Sequence, residues 1–596
     1  MPTYKAPVSD TLFLLTDVFD YAKYANAPGF SEAPIDVVEA VLAEGAKFVE
    51  EVVQPLNRVG DIEGCKRNPD GSVTTPKGFK EAYKAFVEGG WVGLAGDPAY
   101  GGQGLPIFLS VLFGEYATAA NLAFAMYPGL TNGAVAALMA YAGDELKSRY
   151  LPKMTTGEWT GTMNLTEPHC GTDLGLIKTR AAPQADGSYA ITGQKIFISA
   201  GEHDLADNII HLVLARIEGA PPGTKGISLF LVPKFLPDAD GGIGARNGVV
   251  CGAIEHKMGI HGNSTAVMNY DGAKGWLVGE LHRGLHAMFV MMNSARLGVG
   301  VQGLALSEAA YQNAAAYAKD RRQGRSPKGA VEPDKPADIL LVHPDVRRML
   351  LEIRAFNEAA RALMVWVALS EDEARLSPDP KARQTAEDRL GLMTPVLKGV
   401  FTDYGFANAV KAQQVLGGHG YIAEWGVEQF VRDARIAMIY EGANGVQALD
   451  LVARKLPKDG GRAIMAFSSE VSQFLAAAKD EAALAPYVGG LRASFGHLQE
   501  ASMWLMKNGL ADANNAGAAS YDYMHLLGLT ALGYMWARVV KAALARQANG
   551  ESNPAIDAKL PLARFFSERM LPETAAHLAR LSSGAASVMA LPADAF

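Results

Sequence analysis

Cysteine is scarce in this chain of 596 residues, which contains only Cys65, Cys170 and Cys251. The three are widely separated and follow no metal-ligand spacing, so we expect no metal site. They are also too few to form the disulfide framework of a small secreted domain. The cysteine content therefore favours a reducing compartment, and we expect a cytoplasmic protein.

An excess of positive charge is also lacking. The sequence has 55 Lys and Arg against 63 Asp and Glu, a formal net charge of -8 at pH 7. This balance offers nucleic acid or an acidic membrane no general electrostatic attraction, so we expect no nucleic-acid partner.

Long apolar runs and targeting patterns are absent as well. The longest candidate span, residues 526–537, has twelve residues and is closed by Arg538, which is too short to cross a bilayer. The first twenty residues include Asp10, Asp17 and Asp20 and lack the apolar core of a secretory signal. We therefore expect no membrane span.

A dinucleotide-binding fingerprint is missing too. The glycine cluster at residues 101–104 has neither a preceding strand nor the GxGxxG spacing, so it predicts a loop.

The hydrophobic periodicity divides the chain into four segments. Helical spacing dominates residues 1–159, short apolar runs separated by turn signals occupy 160–282, and helical spacing returns over 283–456, interrupted by polar or charged stretches at 325–338 and 370–389 that predict loops or a helical insertion. Residues 457–596 predict a helical extension with equal numbers of basic and acidic side chains. The pattern indicates an α+β fold with an antiparallel β domain between helical domains.

The extension carries large apolar side chains at helical spacing. We expect the following to face a core: Ile464, Phe467, Val471, Phe474, Leu475, Met503, Trp504, Met506, Met535 and Trp536.

One carboxylate stands out because it closes an apolar run. Residues 436–440 are uncharged, and Glu441 and Gly442 follow them. Poor solvation raises the pKa of a carboxyl group and improves it as a base for a proton on carbon. A single Glu at a helix start more often serves the helix dipole, so the neighbouring sequence has to decide.

That neighbouring sequence is distinctive. The block from Gln414 through Gly417, Gly418 and Tyr421, together with residues 432–435 and the Tyr-Glu-Gly turn, resembles the C-terminal signature of acyl-CoA dehydrogenases. The resemblance implies the acyl-CoA dehydrogenase fold, with an N-terminal helical domain, a middle β domain and a C-terminal helical bundle. It also implies that Glu441 removes the α-proton of an acyl thioester and that Gly442 lies at the substrate.

Two further segments resemble the flavin-binding elements of the same family. Residues 163–173 match its flavin-binding strand and turn, which implies FAD contacts from Met163, Leu165 and Thr166 and a coenzyme A contact from Thr172. Residues 195–199 match the strand that faces the flavin ring. That match assigns ring contacts to Phe197 and Ser199, where many members have Trp and Thr. Without the other motifs these segments would be an ordinary turn and an ordinary strand.

The remaining implied contacts concern the nucleotide part of FAD and the substrate. Arg321 matches a phosphate-binding arginine, while Gln414, Gly417 and Gly418 match contacts from a partner subunit. Two usual polar residues after the base are replaced by Ala443 and Gly445, which leaves Asn444 as the nearby polar candidate. Arg296 matches an arginine near the base, and Ala295 occupies the position of the catalytic Glu in other branches.

The resemblance predicts oxidation of a saturated acyl-CoA to a trans-2-enoyl-CoA, with electrons passed to an electron-transfer flavoprotein. The stretches 322–326 and 343–350 resemble large bacterial members that act on fatty acyl-CoA or 3-methylmercaptopropionyl-CoA, and the sequence does not separate the two substrates. An acyl-CoA oxidase and a non-catalytic flavoprotein that acts as a binding protein are the alternatives. We expect a homodimer, because the extension needs a surface on which to bury its apolar positions.

Overall fold

The structure is a computed structural model that describes residues 2–25, 27–238 and 240–596. Its internal contacts divide the chain into two compact units. Unit A consists of Glu44–Gly298, and unit B consists of Met1–Ala43 and Val299–Phe596.

The N-terminal part of the chain is helical, as predicted. Asn121 starts the longest of these helices by accepting a hydrogen bond from the N–H of Phe124, and Gly157 ends the last one with φ +87°. The elements are α1 (Val8–Phe13), α2 (Ile35–Phe48), α3 (Leu56–Glu63), β1 (Lys66–Arg67), β2 (Val73–Thr74), α4 (Phe79–Glu88), α5 (Ile107–Ala120), α6 (Leu122–Tyr141) and α7 (Asp144–Thr156).

Helix α6 is a longer apolar segment than residues 526–537, the longest one that we expected. Within the described ranges it is the one helix long and apolar enough to cross a membrane, with a mean hydropathy of 1.3 over 18 residues. Of that window 61% is buried inside the protein, and the core helix of a soluble protein passes the same test. The expectation that twelve residues is the longest apolar segment was wrong, because Pro128, Thr131 and Asn132 interrupt the apolar run of α6 in the sequence without ending the helix.

The middle of the chain forms a seven-stranded sheet with order β10-β11-β5-β4-β6-β3, in which β7 pairs with both β11 and β6. The strands of this region are β3 (Trp159–Asn164), β4 (Arg180–Pro183), β5 (Tyr189–Ser199), β6 (Asn208–Ile217), β7 (Ile227–Pro233), β8 (Phe235–Pro237), β9 (Ile243–Arg246), β10 (Val249–Ile254) and β11 (Thr265–Val278).

The sheet is mixed rather than wholly antiparallel. Strand β6 runs parallel to both β3 and β4, while the other pairs are antiparallel. Parallel pairing needs a crossover, and the spacing of strand signals along a sequence does not reveal one. Strands β6 and β7 are buried on both faces, which is why their sequences read as continuous apolar runs.

The C-terminal half returns to helices. These are α8 (Gly284–Asp320), α9 (Pro344–Leu376), α10 (Pro380–Val415), α11 (Glu428–Arg435) and α12 (Asn444–Asp450), followed in the extension by α13 (Arg462–Ala477), α14 (Ala485–Trp504), α15 (Ala513–Ala548), α16 (Pro554–Arg569) and α17 (Glu573–Ser582). Residues 325–338 form a loop, and 370–389 is helical except for the break between α9 and α10, so each of the two predicted alternatives occurs.

Glycine allows α8 and α10 to cross closely. A Cβ at Gly303 would lie 2.3 Å from the carbonyl oxygen of Phe401. A Cβ at Gly405 would lie 2.4 Å from the carbonyl oxygen of Gly303. The two helices can therefore approach backbone to backbone at this point.

The extension packs mainly as predicted, with two exceptions. Phe467, Val471 and Trp536 are buried, and the indole N–H of Trp536 donates to the carbonyl of Ala355 on α9 at 2.9 Å. Met503 and Met506 are 59% and 66% exposed, so the prediction that they face the core was wrong. The core-facing positions of that region are Leu498, Ala501 and Leu505, which lie on another face of the helix.

Candidate active site

The turn after β3 is tied to β5 by a buried ion pair. The chain folds back at Glu167 and Cys170, whose backbones exchange hydrogen bonds of 2.9 and 3.0 Å. The Lys195 ammonium lies 2.8 Å from Oε1 of Glu167 and donates to the Leu165 carbonyl at 2.9 Å. Burial alone would raise the pKa of Glu167, but Lys195 and hydrogen bonds from Thr179 and Lys178 hold it below its usual value.

Phe197 has an unusual conformation at the end of β5. Its φ is +58°, a left-handed value that is a genuine outlier for a bulky residue. The register between β5 and β11 shifts at this point, so Phe197 lies in a β-bulge. As a result its ring is 60% exposed instead of turning into the sheet. An exposed aromatic ring held at a cost in backbone strain indicates a binding function.

The residues predicted to hold FAD in unit A lie together. The N–H of Ile196 donates to the Thr166 carbonyl at 2.9 Å, which joins the turn to the strand that carries Phe197 and Ser199. The Thr166 and Ser199 side chains are half-buried, and within residues 2–25, 27–238 and 240–596 neither hydroxyl has a hydrogen-bond partner. Two available hydroxyls beside an exposed aromatic ring fit the polar edge and the flat face of a flavin.

The other residues of this segment differ in exposure. Met163 and Leu165 are half-buried and pack against the apolar cluster that β6 shares with α6 and α7. Thr172 is exposed on the loop before Asp173, whose carboxylate accepts a hydrogen bond from the N–H of Gly175. Thr172 is therefore accessible to a ligand, and its coenzyme A contact stays a prediction.

Two buried histidines support β3. Thr162 hydrogen-bonds Nδ1 of His211 at 2.7 Å, and Thr160 hydrogen-bonds Nε2 of His203 at 3.0 Å. Burial lowers the pKa of each histidine to about 3, so both rings are neutral. They form a rigid polar layer beneath the strand that leads to Thr166.

Arg296 lies on α8 and is 9% exposed. Its guanidinium carbon stands 5.9 Å from the centre of the Phe289 ring, a cation–π contact. Ala295 next to it is half-buried and carries no acid, so this helix position offers no alternative base.

In unit B, Glu441 occupies a strained turn. Glu441 and Gly442 have φ values of +56° and +88°, and the Glu441 side chain is half-buried. The amide nitrogen of Gln447 donates to the carbonyls of Glu441 and Gly442 at 3.3 and 3.4 Å. Before the turn, the Tyr440 hydroxyl donates to Gln302 of α8. The positive φ of Glu441 costs backbone strain, unlike that of Gly442, and strain at a carboxylate is a reason to propose a function for this turn.

Asn444 has a different environment from the one we expected. It is 6% exposed, and its carboxamide contacts Lys398, Thr402 and Asp403 of α10. A cofactor contact from Asn444 stays a prediction, but its polar atoms already serve the interior of unit B.

Arg321, Gln414, Gly417 and Gly418 are exposed. Tyr317 lies in the last turns of α8, just before Arg321, and its hydroxyl shares a hydrogen bond of 2.9 Å with Nδ1 of His419, which ties the glycine loop to the end of that helix. A Cβ on Gly417 or Gly418 would meet nothing within 4 Å. The exposed guanidinium and the open backbone fit a phosphate-bearing ligand.

One group of possible metal ligands lies near the flavin segment. The ligand atoms of Glu167, His169 and Cys170 lie within 4.8 Å of one another. The carboxylate of Glu167 is already occupied by Lys195 and Thr179, so the group has no free acid for a cation.

Comparison with known proteins identifies the family of the chain. Four models of one family match the chain: "Acyl-CoA dehydrogenase, N-terminal domain" over residues 38–158, "Acyl-CoA dehydrogenase, middle domain" over 162–273, "Acyl-CoA dehydrogenase, C-terminal domain" over 282–456, and "Acetyl-CoA dehydrogenase C-terminal like" over 467–592.

Two relatives match over nearly their whole length. The 3-methylmercaptopropionyl-CoA dehydrogenase of Ruegeria pomeroyi is 41% identical over 97% of this chain and 98% of its own. The broad-specificity linear acyl-CoA dehydrogenase FadE5 of Mycobacterium tuberculosis is 35% identical over 96% of each chain.

Solved structures show the same fold. ACDH-11 of Caenorhabditis elegans in complex with C11-CoA has a TM-score of 0.77 at 19% identity, covering 96% of this chain and 92% of its own. An acyl-CoA dehydrogenase from Bacillus anthracis complexed with FAD has a TM-score of 0.70 at 22% identity, covering 92% and 88%. The fold class is thereby confirmed as the acyl-CoA dehydrogenase fold. The chain belongs to the acyl-CoA dehydrogenase family and is an FAD-dependent enzyme.

The sequence analysis missed two kinds of residue. Lys195 and Glu167 appear in the motifs, but their ion pair was not predicted, although a lysine inside an apolar strand requires a carboxylate partner. The environment of Asn444 depends on α10 and α15, which are distant in sequence, so no local pattern could have revealed it.

Proposed function

We propose that this protein dehydrogenates a saturated acyl-CoA to a trans-2-enoyl-CoA, with Glu441 as the base. The observation that carries the proposal is the turn at Glu441, where two positive φ values hold a half-buried carboxylate. Glu441 takes the proton from the α-carbon onto a carboxylate oxygen. Hydrogen bonds to the thioester carbonyl stabilise the charge that develops, which is needed because the α-proton is far less acidic than a carboxylic acid.

The geometry of unit A supports a proposal for the residues that would hold the cofactor. The half-buried hydroxyls of Thr166 and Ser199 would serve the polar edge of a bound flavin, and the exposed ring of Phe197 would contact its face. Met163 and Leu165 support the strand from the apolar side. When bound, FAD supplies at N5 the acceptor for the hydride that leaves the β-carbon. Arg321, with Gln414, Gly417 and Gly418 from a partner subunit, contacts the phosphate and nucleotide part.

For the substrate we propose a fatty acyl-CoA or 3-methylmercaptopropionyl-CoA. The two relatives that match over nearly their full length are named for these two kinds of thioester. In either case Thr172, Arg296 and Gly442 are the residues proposed to contact it. Both thioesters share the coenzyme A portion and the α-proton that Glu441 removes.

We further propose that the protein is a homodimer and that it passes its electrons to an electron-transfer flavoprotein. It would work in the cytoplasm, in fatty-acid β-oxidation. The exposed loop at Gln414 and Gly417–Gly418 supports a site completed by a second subunit. The extension covers α9 and α10, as the contact between Trp536 and Ala355 illustrates. That surface is then no longer available for a second pairing of dimers.

The base is tested by the Glu441→Gln variant, which keeps the shape of the side chain and removes its basicity. We expect it to retain FAD and bind acyl-CoA, while butyryl-, octanoyl-, palmitoyl- and 3-methylmercaptopropionyl-CoA no longer bleach the flavin absorbance. The wild-type protein should be bleached by at least one of them. Bleaching of the variant at near wild-type rate would refute Glu441 as the base.

Three further experiments test the electron acceptor, the oligomeric state and the role of the extension. Hydrogen peroxide released at the rate of turnover in air would identify an oxidase instead of a dehydrogenase. Light scattering should give about twice the chain mass of 63.3 kDa, and a stable tetramer would contradict the dimer. Truncation after Leu456 should cause aggregation, because it uncovers the surface on which Trp536 packs.

A further inference from the structure

A chain of polar contacts runs from the extension to the turn that carries Glu441. The Tyr521 hydroxyl donates to Oδ2 of Asp403 at 2.6 Å, and Nε2 of His525 hydrogen-bonds the same oxygen at 2.8 Å. Tyr521 and His525 belong to α15 of the extension, whereas Asp403 belongs to α10. The other carboxylate oxygen, Oδ1, accepts a hydrogen bond of 2.7 Å from the amide nitrogen of Asn444.

Asn444 is held from several sides. Its carboxamide oxygen accepts from Nζ of Lys398 at 2.8 Å, and its nitrogen also donates to Thr402 at 2.9 Å and to the Gly399 carbonyl at 3.1 Å. Asn444 is the first residue of α12, and only Gly442 and Ala443 separate it from Glu441. Fixing Asn444 therefore fixes one end of the turn, since two residues leave little slack.

The carboxylate in the middle of this chain is a strong acceptor. Burial would raise the pKa of Asp403, but hydrogen bonds from His525 and Tyr521 hold it below its usual value. His525 is itself 6% exposed and stacks on His577 of α17, with ring centres 5.5 Å apart. The contacts of His525 and Asn444 are thus made inside the packed part of unit B, where hydrogen bonds are stronger than in water, whereas Tyr521 is 44% exposed and reaches Asp403 from the surface.

We propose that Tyr521 and His525 of the extension are positioning residues for Glu441, acting through Asp403 and Asn444. The proposal rests on the proposed function, in which Glu441 is the base. A left-handed backbone at Glu441 persists only where its surroundings over-determine it. The polar chain provides that constraint, so the extension takes part in placing the base as well as covering α9 and α10.

The test compares variants by stopped-flow reduction of the flavin, using the acyl-CoA that reduces the wild-type enzyme fastest. Asp403→Ala removes the acceptor of Asn444, and we expect the rate at saturating substrate to fall about 10- to 100-fold, the scale of a misplaced reacting group. The substrate dissociation constant should stay within about threefold, because the binding contacts remain. Asp403→Asn should recover most of the rate, since its Oδ1 can still accept from Asn444.

Tyr404→Phe is the matched control. The Tyr404 hydroxyl donates to Glu573 of α17 at 2.8 Å, so it also joins α10 to the extension through a tyrosine and a carboxylate. This hydrogen bond does not lead to Asn444. We expect Tyr404→Phe to reduce the flavin at the wild-type rate, and an equal slowing in control and Asp403→Ala would overturn the proposal.

The double variant Tyr521→Phe, His525→Gln keeps Asp403 in place and decides the question if Asp403→Ala does not fold. A wild-type rate in the folded double variant, or in Asp403→Ala, would overturn the positioning role, as would a slowing caused only by weaker substrate binding. Glu441→Gln is measured in the same series. If Glu441→Gln is inactive while Asp403→Ala is fast, the positioning role alone fails; if Glu441→Gln is fast, the proposed base fails.

Discussion

The ammonium nitrogen of Lys195 lies 2.8 Å from Oε1 of Glu167, and both side chains are withdrawn from water. Lys195 belongs to β5, and Glu167 belongs to the turn after β3, so the pair joins the two segments proposed to hold FAD. Buried ion pairs contribute little to stability compared with apolar substitutes, but breaking one partner is costly. Its contribution here is to fix Thr166 relative to Phe197 and Ser199.

The variant Lys195→Met should lose both stability and cofactor. It leaves the Glu167 carboxylate buried without its cation, for which we expect about 3–5 kcal/mol of destabilisation. The ratio of flavin to protein absorbance should fall, and urea unfolding should shift to a lower midpoint. Lys274→Met is the control, because Lys274 pairs with exposed Asp186 on the same sheet and should change neither quantity appreciably. Full FAD content in Lys195→Met would contradict this role.

Phe197 should affect FAD binding without affecting folding. Phe197→Leu keeps the strained backbone and removes the ring, and since the ring is 60% exposed little buried area is lost. An aromatic contact of about 0.5–1.5 kcal/mol corresponds to roughly a 2- to 13-fold rise in the FAD dissociation constant. Phe197→Trp should restore the affinity. Titration of the apoprotein, followed by flavin fluorescence, measures the FAD dissociation constant. An unchanged affinity in Phe197→Leu would place the ring away from the cofactor.

The parts of the fold that were predictable are those set by local pattern. The change from helical to strand spacing near residue 160 and back near 283 follows from which side chains face the core, so it is visible in the sequence. The parallel pairing of β3 with β6 and the exposure of Met503 depend on how distant segments meet. No local pattern carries that information.

The candidate site divides in the same way. Glu441, Thr166 and Phe197 were found because they occur in contiguous motifs. The left-handed conformation of Phe197 was not predictable, since the bulge arises from the register between β5 and β11. The link from Asn444 to Tyr521 spans 77 positions of sequence and two hydrogen bonds to Asp403, so only the folded chain reveals it.

The buried histidines should make unit A sensitive to acid. The folded state lowers the pKa of His203 and His211 to about 3, whereas an unfolded histidine has its ordinary value of 6.5. Between these values the unfolded state binds protons that the folded state does not, so stability falls as the pH falls. Each histidine contributes up to about 1.4 kcal/mol per pH unit.

The variant His211→Gln tests this dependence, because it keeps a neutral polar group opposite Thr162. Urea unfolding between pH 6.5 and pH 4.5 should show a pH slope smaller than that of the wild type by up to about 1.4 kcal/mol per unit. The exposed residue His256 gives the control, since His256→Gln should leave the slope as it is. An unchanged slope in His211→Gln would mean that this ring is protonated in the folded protein.

A second buried charge cluster ties the N-terminal segment to the extension. Arg361 of α9, 2% exposed, donates to Asp10 at 2.8 Å and pairs with Glu308 at 3.3 Å. Lys559 of α16 pairs with Asp10 and lies 2.8 Å from Glu358. Burial would raise the pKa of Asp10, but Lys559 and Arg361 hold it at about 2. Asp10 is thus the anion that two buried cations share, in addition to the glutamate that each of them contacts.

The variant Asp10→Asn should destabilise unit B by about 3–5 kcal/mol near neutral pH, because it leaves those two cations without a shared anion. The folded pKa of Asp10 lies below its usual 3.8, so its contribution is complete above that value and is lost as the pH falls toward 2. Urea unfolding should therefore show a constant difference from the wild type between pH 7 and pH 5 that shrinks below pH 4. Asp17→Asn is the control: its partner Arg546 is 39% exposed, so it should cost about 1 kcal/mol or less. Equal effects of the two substitutions would show that the buried cluster contributes no more than a surface ion pair.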